Sequence, residues 1–153
     1  MNKPRFVYVT YIRSTPDKVW DALTKPEFTR RYWMETWQDS KWEPGSPWKL
    51  MLPDGRVADA GEVVEADRPR RLVLRWRNEL FPEYHAEGFS ICTVEIEPIG
   101  QEVKLSLTHE IDKPESEFLK DVSNGWPMIL SSLKSLLETD DALELAKKLP
   151  KDF

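Results

Sequence analysis

The sequence predicts an α+β fold in which a curved antiparallel sheet of about six or seven strands wraps around a long C-terminal helix. Three observations lead to this expectation. Short segments between 36 and 111 alternate apolar and polar residues, which is typical of strands with one covered face. Residues 115–138 carry apolar side chains at helical spacing. Two segments that begin with proline follow the first strand and predict two short helices.

Length and composition suit a single folded domain over 1–153, with a core at about 5–139 and a C-terminal extension at 140–153. A chain of this size buries about 70% of its unfolded surface, so it needs neither a disulfide nor a metal to fold. Rough helical spacing in the extension favours a short extra helix over a loose tail.

Charge and hydropathy narrow the class of protein. The 22 Lys and Arg against 27 Asp and Glu give a net charge of −5, which argues against a general nucleic-acid binder. The chain holds neither an apolar run of ~18 residues nor a signal-peptide core, so we expect no membrane span. The lone Cys92 cannot form an internal disulfide. These features predict a cytoplasmic protein, either a monomer or a homodimer.

The N-terminal elements follow from local signals. RFVYVTYIR is rich in β-branched and aromatic residues and predicts the first strand. In the next segment Thr15 suits a helix N-cap, Pro16 the first helical position and Asp17 the positive helix end. KPEFTRRYW repeats the proline start and predicts a second short helix.

Strands fill the middle of the chain. Alternation is clear in PWKLML, LVLRWR and FSICTVEIEP, with turn signals between such segments. EVKLSLTHEI sets Val103, Leu105, Leu107 and His109 in one row. A sheet this large cannot stay flat, and one helix cannot fill its whole concave face. We therefore expect a cavity between the sheet and the helix.

The long helix contains a glycine and a proline around a tryptophan, at Gly125, Trp126 and Pro127. Proline removes a backbone donor and bends or restarts a helix. One interpretation is a bend that turns Trp126 towards a cavity, with Gly125 allowing another part of the chain to approach. The other is a junction between two helices, with Trp126 filling the core.

Few residues suggest catalysis. His109 ends an apolar row, so it could bind a ligand or act as an acid–base group, or it could be a buried histidine whose hydrogen bonds are satisfied. Glu62 and Glu65 lie on opposite faces of an ideal strand, so one of them could face the cavity as a base or both could be surface carboxylates. No metal-ligand spacing, phosphate loop or nucleotide motif is present, and we expect no metal and no cofactor.

Four segments together resemble a known family: TPDKVWDALTKPEF, DGRVADAGEVVEADRPRRLVLRW, VEIEPIGQEVKLSLTHE and GWPMILSSLKSLLE. From about Phe6 to Thr139 the sequence resembles the family related to the activator of the ninety-kilodalton heat-shock protein ATPase. That AHSA-type family belongs to the START-like (SRPBCC) superfamily. The resemblance implies a helix-grip fold with an internal apolar cavity and a link to the stress response, and its members include lipid carriers, cyclases, hormone sensors and co-chaperone domains.

The preferred hypothesis is a binding module for a small hydrophobic or aromatic ligand. Aromatic side chains on inward faces motivate it, because such residues line apolar ligand sites. The alternatives are a protein-interaction module of the co-chaperone kind and a small-molecule cyclase or hydrolase that uses the same cavity. The residues expected to line the cavity are Trp33, Trp48, Trp76, Cys92, His109, Trp126 and Leu130.

Overall fold

One antiparallel sheet and one long helix form the framework. The computed structural model describes residues 3–151, and the outermost residues of the expected 1–153 domain lie outside that range. Strand order across the sheet is β1-β7-β6-β5-β4-β3-β2. The elements are β1 Arg5–Ile12, α1 Pro16–Thr24, α2 Pro26–Tyr32, β2 Trp37–Ser40, β3 Pro47–Met51, β4 Val57–Asp67, β5 Arg71–Asn78, α3 Pro82–His85, β6 Ser90–Ile99, β7 Glu102–Ile111 and α4 Glu117–Thr139. The predicted helix-grip arrangement is confirmed.

The two short helices begin as their sequences predict. The Thr15 side chain accepts a hydrogen bond from the Lys18 backbone N–H at 3.3 Å, and proline opens both α1 and α2. The single turn of α3 was not predicted, because its segment reads as a loop. It begins at Pro82, whose fixed φ suits a first helical position.

A bulge in β4 changes which side chains face outwards. The register against β5 shifts between Val63 and Glu65, so the extra residue reverses the simple alternation. Glu62 and Glu65 are consequently both half-exposed, and they pair with Arg75 and Arg71 at 3.6 and 3.1 Å. Neither glutamate faces the interior, so of the two interpretations the structure agrees with the pair of surface carboxylates.

Gly61 lets β4 approach β5 more closely than a side chain would allow. A Cβ atom added at this position would lie 1.7 Å from the backbone oxygen of Arg75. Gly61 stands opposite Trp76 on β5 and Trp48 on β3, so the close approach occurs between two buried indoles. The glycine therefore fixes the position of Trp76.

Helix α4 runs unbroken through Gly125 and Pro127. Ser116 caps its start by accepting from the Leu119 N–H at 2.9 Å, and Asp140 ends it in a left-handed conformation with φ of 65°. The junction between two helices considered for Gly-Trp-Pro is therefore not formed. The described part of the chain contains no helix with the length and apolarity needed to cross a membrane.

A buried chain of hydrogen bonds links α4 to the sheet. The Trp126 indole N–H donates to Nδ1 of His109 at 3.1 Å, and His109 Nε2 lies 2.8 Å from Ser90 Oγ, which donates to the Trp76 backbone oxygen at 2.9 Å. Because an indole can only donate, the His109 proton lies on Nε2. Burial lowers the pKa of His109 to about 3, so the imidazole is neutral over most of the pH range.

The C-terminal extension is docked against the domain rather than loose. The Met34 N–H donates to the Ala146 carbonyl at 2.7 Å, and the Leu143 N–H donates to Ser132 Oγ at 3.2 Å. Its only regular element within residues 3–151 is a single 3₁₀ turn, Glu144–Ala146. This segment covers one side of the space described below.

We predict that Gly61→Ala destabilises the protein by at least ~2 kcal/mol, because the new methyl group collides with the backbone of Arg75 rather than with a flexible side chain. Urea unfolding measures the effect. Gly125→Ala is the matched control: a Cβ there meets nothing within 4 Å, and the helix gains ~0.5–1 kcal/mol. Equal effects of the two substitutions would contradict the described approach of β4 to β5.

We predict that His109→Leu costs about 2–3 kcal/mol at pH 7, because it leaves the Trp126 N–H without its acceptor. The folded pKa of His109 lies below its ordinary 6.5, so its contribution is complete above about pH 6.5. That contribution is lost as the pH falls towards 3, by about 1.4 kcal/mol per unit. The measurement is the free energy of unfolding of the unmodified protein and of His109→Leu at about pH 7 and 4.5. The difference between the two proteins should be smaller at the lower pH. A difference that does not change with pH would refute the neutral buried state.

Candidate functional site

A cavity of about 160 Å³ lies between α4 and one end of the sheet. An apolar cavity of about 150 Å³ holds a benzene molecule, so the space suits one ring with a small substituent. One face of α4 forms its wall through Phe118, Asp121, Val122, Gly125, Trp126 and Ile129. The opposite wall comes from the starts or ends of other elements, including Trp33, Leu50, Asp59, Trp76, Asn78 and Leu149. Phe81, 39% exposed, lies at the rim.

Three tryptophans from three elements form the inner surface of the cavity. Trp33 follows α2, Trp76 belongs to β5 and Trp126 to α4. Their ring centroids are 5.3 Å apart for Trp33 and Trp126, 5.6 Å for Trp76 and Trp126, and 6.5 Å for Trp33 and Trp76. Mutual contact fixes the rings, so the surface they present is rigid.

Gly125 opens the helix side of the cavity. It lines the cavity, and an added Cβ would meet nothing within 4 Å. The expectation that another part of the chain approaches Gly125 is therefore wrong. Glycine costs a helix interior about 0.5–1 kcal/mol relative to alanine, and here that cost leaves room for a guest.

The structure divides the seven residues expected to line the cavity into three groups. Trp33, Trp76 and Trp126 do line it. Cys92 and Leu130 border a separate void of about 20 Å³, which has room for about one water molecule.

The last two expected residues, Trp48 and His109, line neither space. Trp48 is fully buried, with its ring 4.4 Å from Trp76 and its N–H donating to Gln38 at 2.8 Å. His109 is equally buried behind Trp76 and Trp126, at 5.3 and 6.2 Å between ring centroids. The large indoles fill the middle of the grip and confine the open space to one end.

His109 and Cys92, two of the expected site residues, are poorly placed for catalysis. His109 has both nitrogens hydrogen-bonded and no surface on the cavity. Burial raises the pKa of the Cys92 thiol, which keeps it protonated and inert. Residues 3–151 bring together no group of three metal-ligating side chains.

Asp59 is a buried polar residue of the cavity that the sequence pattern did not lead us to expect. Its side chain is 6% exposed, and its Oδ1 accepts from the Trp76 indole at 2.9 Å and from Asn78 Nδ2 at 3.2 Å. Its Oδ2 accepts no bond from the described residues, yet the atom is not sealed from accessible space. At this position the accessible space is the cavity.

Burial raises the pKa of Asp59 from 3.8 to about 7, against the lowering effect of the Trp76 and Asn78 hydrogen bonds. The negative charges of Glu79 and Asp121 raise it further. Asp121 also lines the cavity, from α4, and partial burial raises its pKa as well. The lining within residues 3–151 contains no lysine, arginine or histidine to balance these carboxyls.

A signal for Asp59 was present in the sequence. Counting back in twos from the buried Val63 passes through Gly61 to Asp59, so all three side-chain positions share one face of β4. Aspartate is uncommon inside strands, and an inward aspartate is more unusual still.

The basic segment on the outer face of β5 is already neutralised. Arg75 lies 3.6 Å from Glu62, and Arg77 lies 2.7 Å from Glu79. Both guanidinium groups also cover the Phe89 ring, at 4.2 and 4.5 Å from its centroid. These contacts are typical of a solvated sheet exterior.

Solved structures share this fold. CalU16 from Micromonospora echinospora is 21% identical, with 89% of this chain and 77% of that chain covered and a TM-score of 0.70. The Aha1 dimer from Colwellia psychrerythraea is 17% identical, with coverage of 89% and 97% and a TM-score of 0.71. An HSP90 activator from Plasmodium falciparum is 22% identical, with coverage of 87% and 95% and a TM-score of 0.71. At these identities the similarity shows the fold alone.

No curated protein matches the sequence significantly. The model of one family, "Activator of Hsp90 ATPase homolog 1-like protein", matches residues 13–138. That match covers α1 to α4, including every strand after the first and most of the cavity wall, but not Leu149. The chain therefore belongs to the Activator of Hsp90 ATPase homolog 1-like family.

Proposed function

We propose that this protein is a binding module for a small apolar or aromatic molecule held in the cavity between α4 and the sheet. The observation that carries the proposal is the cavity itself: about 160 Å³, bordered by three tryptophans and left open by a glycine inside a helix. Cavities of this kind bind by burial and orient the guest through a few polar groups. Asp59 and Asn78 are such groups here.

Two wider depressions fit the role less well. They measure about 260 and 450 Å³ and lie open on the surface. The residues around the first include Glu62 and Arg75, and those around the second include Glu115 and Lys120. A small molecule there would keep most of its surface in water, so burial would contribute little to affinity.

We predict that Gly125→Leu reduces the affinity for ring-sized guests at least about tenfold, because the new side chain occupies the open space beside Gly125. Titration with benzyl alcohol, followed by the NMR shifts of the Trp33, Trp76 and Trp126 indole N–H groups, measures it. Asn124→Leu is the matched control, since it adds the same side chain at the exposed neighbouring position of α4.

Two outcomes would contradict the binding function. One is that no ring-sized compound, charged or neutral, shifts any of the three indole signals of the unmodified protein. The other is that Gly125→Leu and Asn124→Leu bind equally well while both remain folded.

A second candidate is an interaction module of the Hsp90-activator kind. The family match over residues 13–138 favours it. We predict that an activator would raise the ATPase rate of Hsp90 in a dose-dependent way and would be retained by the chaperone's middle domain. If neither effect is seen at a large excess of this protein, the activator role is excluded. That result would not bear on the binding of a small guest.

A further inference from the structure

We propose that the guest is a small organic cation, an ammonium group carried on an aromatic or compact apolar body, with the ammonium held by Asp59. This inference rests on the proposed binding function and specifies its ligand class. The first observation concerns Oδ2 of Asp59. The residue is only 6% exposed, yet this oxygen receives no hydrogen bond from residues 3–151 and borders the cavity. A donor in the guest would complete its coordination.

Within residues 3–151, no basic side chain pairs with Asp59. A buried carboxylate is costly unless it is paired, and the cavity lining in the described chain holds no basic side chain. Arg77 lies on the next strand but is bonded to Glu79 at 2.7 Å, and the imidazole of His85 lies 3.7 Å from the same glutamate. A positively charged guest in the cavity would pair with the ionised carboxylate.

The other groups around the cavity also favour a positively charged guest. Asp121, an exposed residue of α4 that also lines the cavity, adds a second carboxyl. The three indoles contribute as well, because an aromatic face attracts a cation within about 6 Å. An anionic guest would meet two carboxyls and no donor with a positive charge, so both its binding and its desolvation would be unfavourable.

Asp59 could instead stay protonated and donate to a carbonyl or hydroxyl oxygen of a neutral guest. The hydrogen bonds already present favour the cation. Both Trp76 and Asn78 donate to Oδ1, which stabilises the ionised carboxylate more than the neutral acid. The experiment below is therefore designed to distinguish a cationic guest from a neutral one.

Binding of a cation at Asp59 should also depend on pH, which gives a second and independent test. In the empty protein the pKa of Asp59 is about 7, so below that pH the carboxyl is protonated. A cation that binds there must displace the proton, which leaves to solvent as the ammonium–carboxylate pair forms. Affinity for the cation should rise as the pH increases to about 7 and then level off, while affinity for a neutral isostere stays constant.

The experiment compares benzylamine, benzyl alcohol and benzoate, which share one ring and differ in the charge of the attached group. Isothermal titration at about pH 8 should show benzylamine about tenfold or more tighter than benzyl alcohol, as expected for a charged hydrogen bond. Benzoate should be the weakest of the three. Between about pH 8 and 5.5 the benzylamine affinity should fall roughly tenfold or more.

Asp59→Asn should remove both the preference for benzylamine over benzyl alcohol and the pH dependence of the benzylamine affinity. The amide of the introduced asparagine would keep an oxygen to accept from Trp76. His85→Gln is the control, because it removes the imidazole beside Glu79, and it should keep the pH profile. The comparisons on the unmodified protein need no variant, so they decide the matter even if Asp59→Asn misfolds.

The outcomes separate this inference from the function on which it rests. If benzyl alcohol binds at least as tightly as benzylamine at about pH 8, or if benzylamine affinity is independent of pH, the cation inference is overturned and the binding function stands. If none of the three compounds binds, both are overturned. Tighter binding of benzoate would also exclude the cation.

Discussion

The position of the Trp76 ring is the constraint on which the rest of the structure depends. Its indole N–H donates to Asp59, its backbone oxygen accepts from Ser90, and its ring lies against Trp33 and Trp126. These contacts join both neighbouring strands, the end of α2 and the long helix. Gly61 permits the close strand approach opposite the ring. The same ring is thus both a core residue and the inner wall of the cavity.

Two polar arrangements flank this ring and behave in opposite ways. On the closed side, His109 has both nitrogens satisfied, and it stays neutral because burial lowers its pKa. On the open side, Asp59 has one oxygen satisfied and the other bordering the cavity. The first arrangement stabilises the attachment of α4 to the sheet. The second leaves one carboxyl oxygen without a partner from residues 3–151 at the edge of the cavity, which is typical of functional sites.

Local sequence signals predicted the framework well, because each depends on a few neighbouring residues. The Thr15 cap, the proline starts of α1 and α2, and the alternation of Val103 to His109 were all confirmed. The site was harder, because it depends on contacts between distant elements. The bulge near Glu65 arises from pairing with β5, and the extent of the cavity depends on how far the indoles fill the grip. Asp59 could have been found by counting along β4 from Val63.

The central claim is that the space beside Gly125 is open and accepts a ring. A crystal structure of the protein grown with benzyl alcohol tests it most directly. We expect one ring between Trp76 and Gly125, with the residues on both sides of the cavity in their present positions. Indoles that have closed over the space, with no room for the ring, would contradict it.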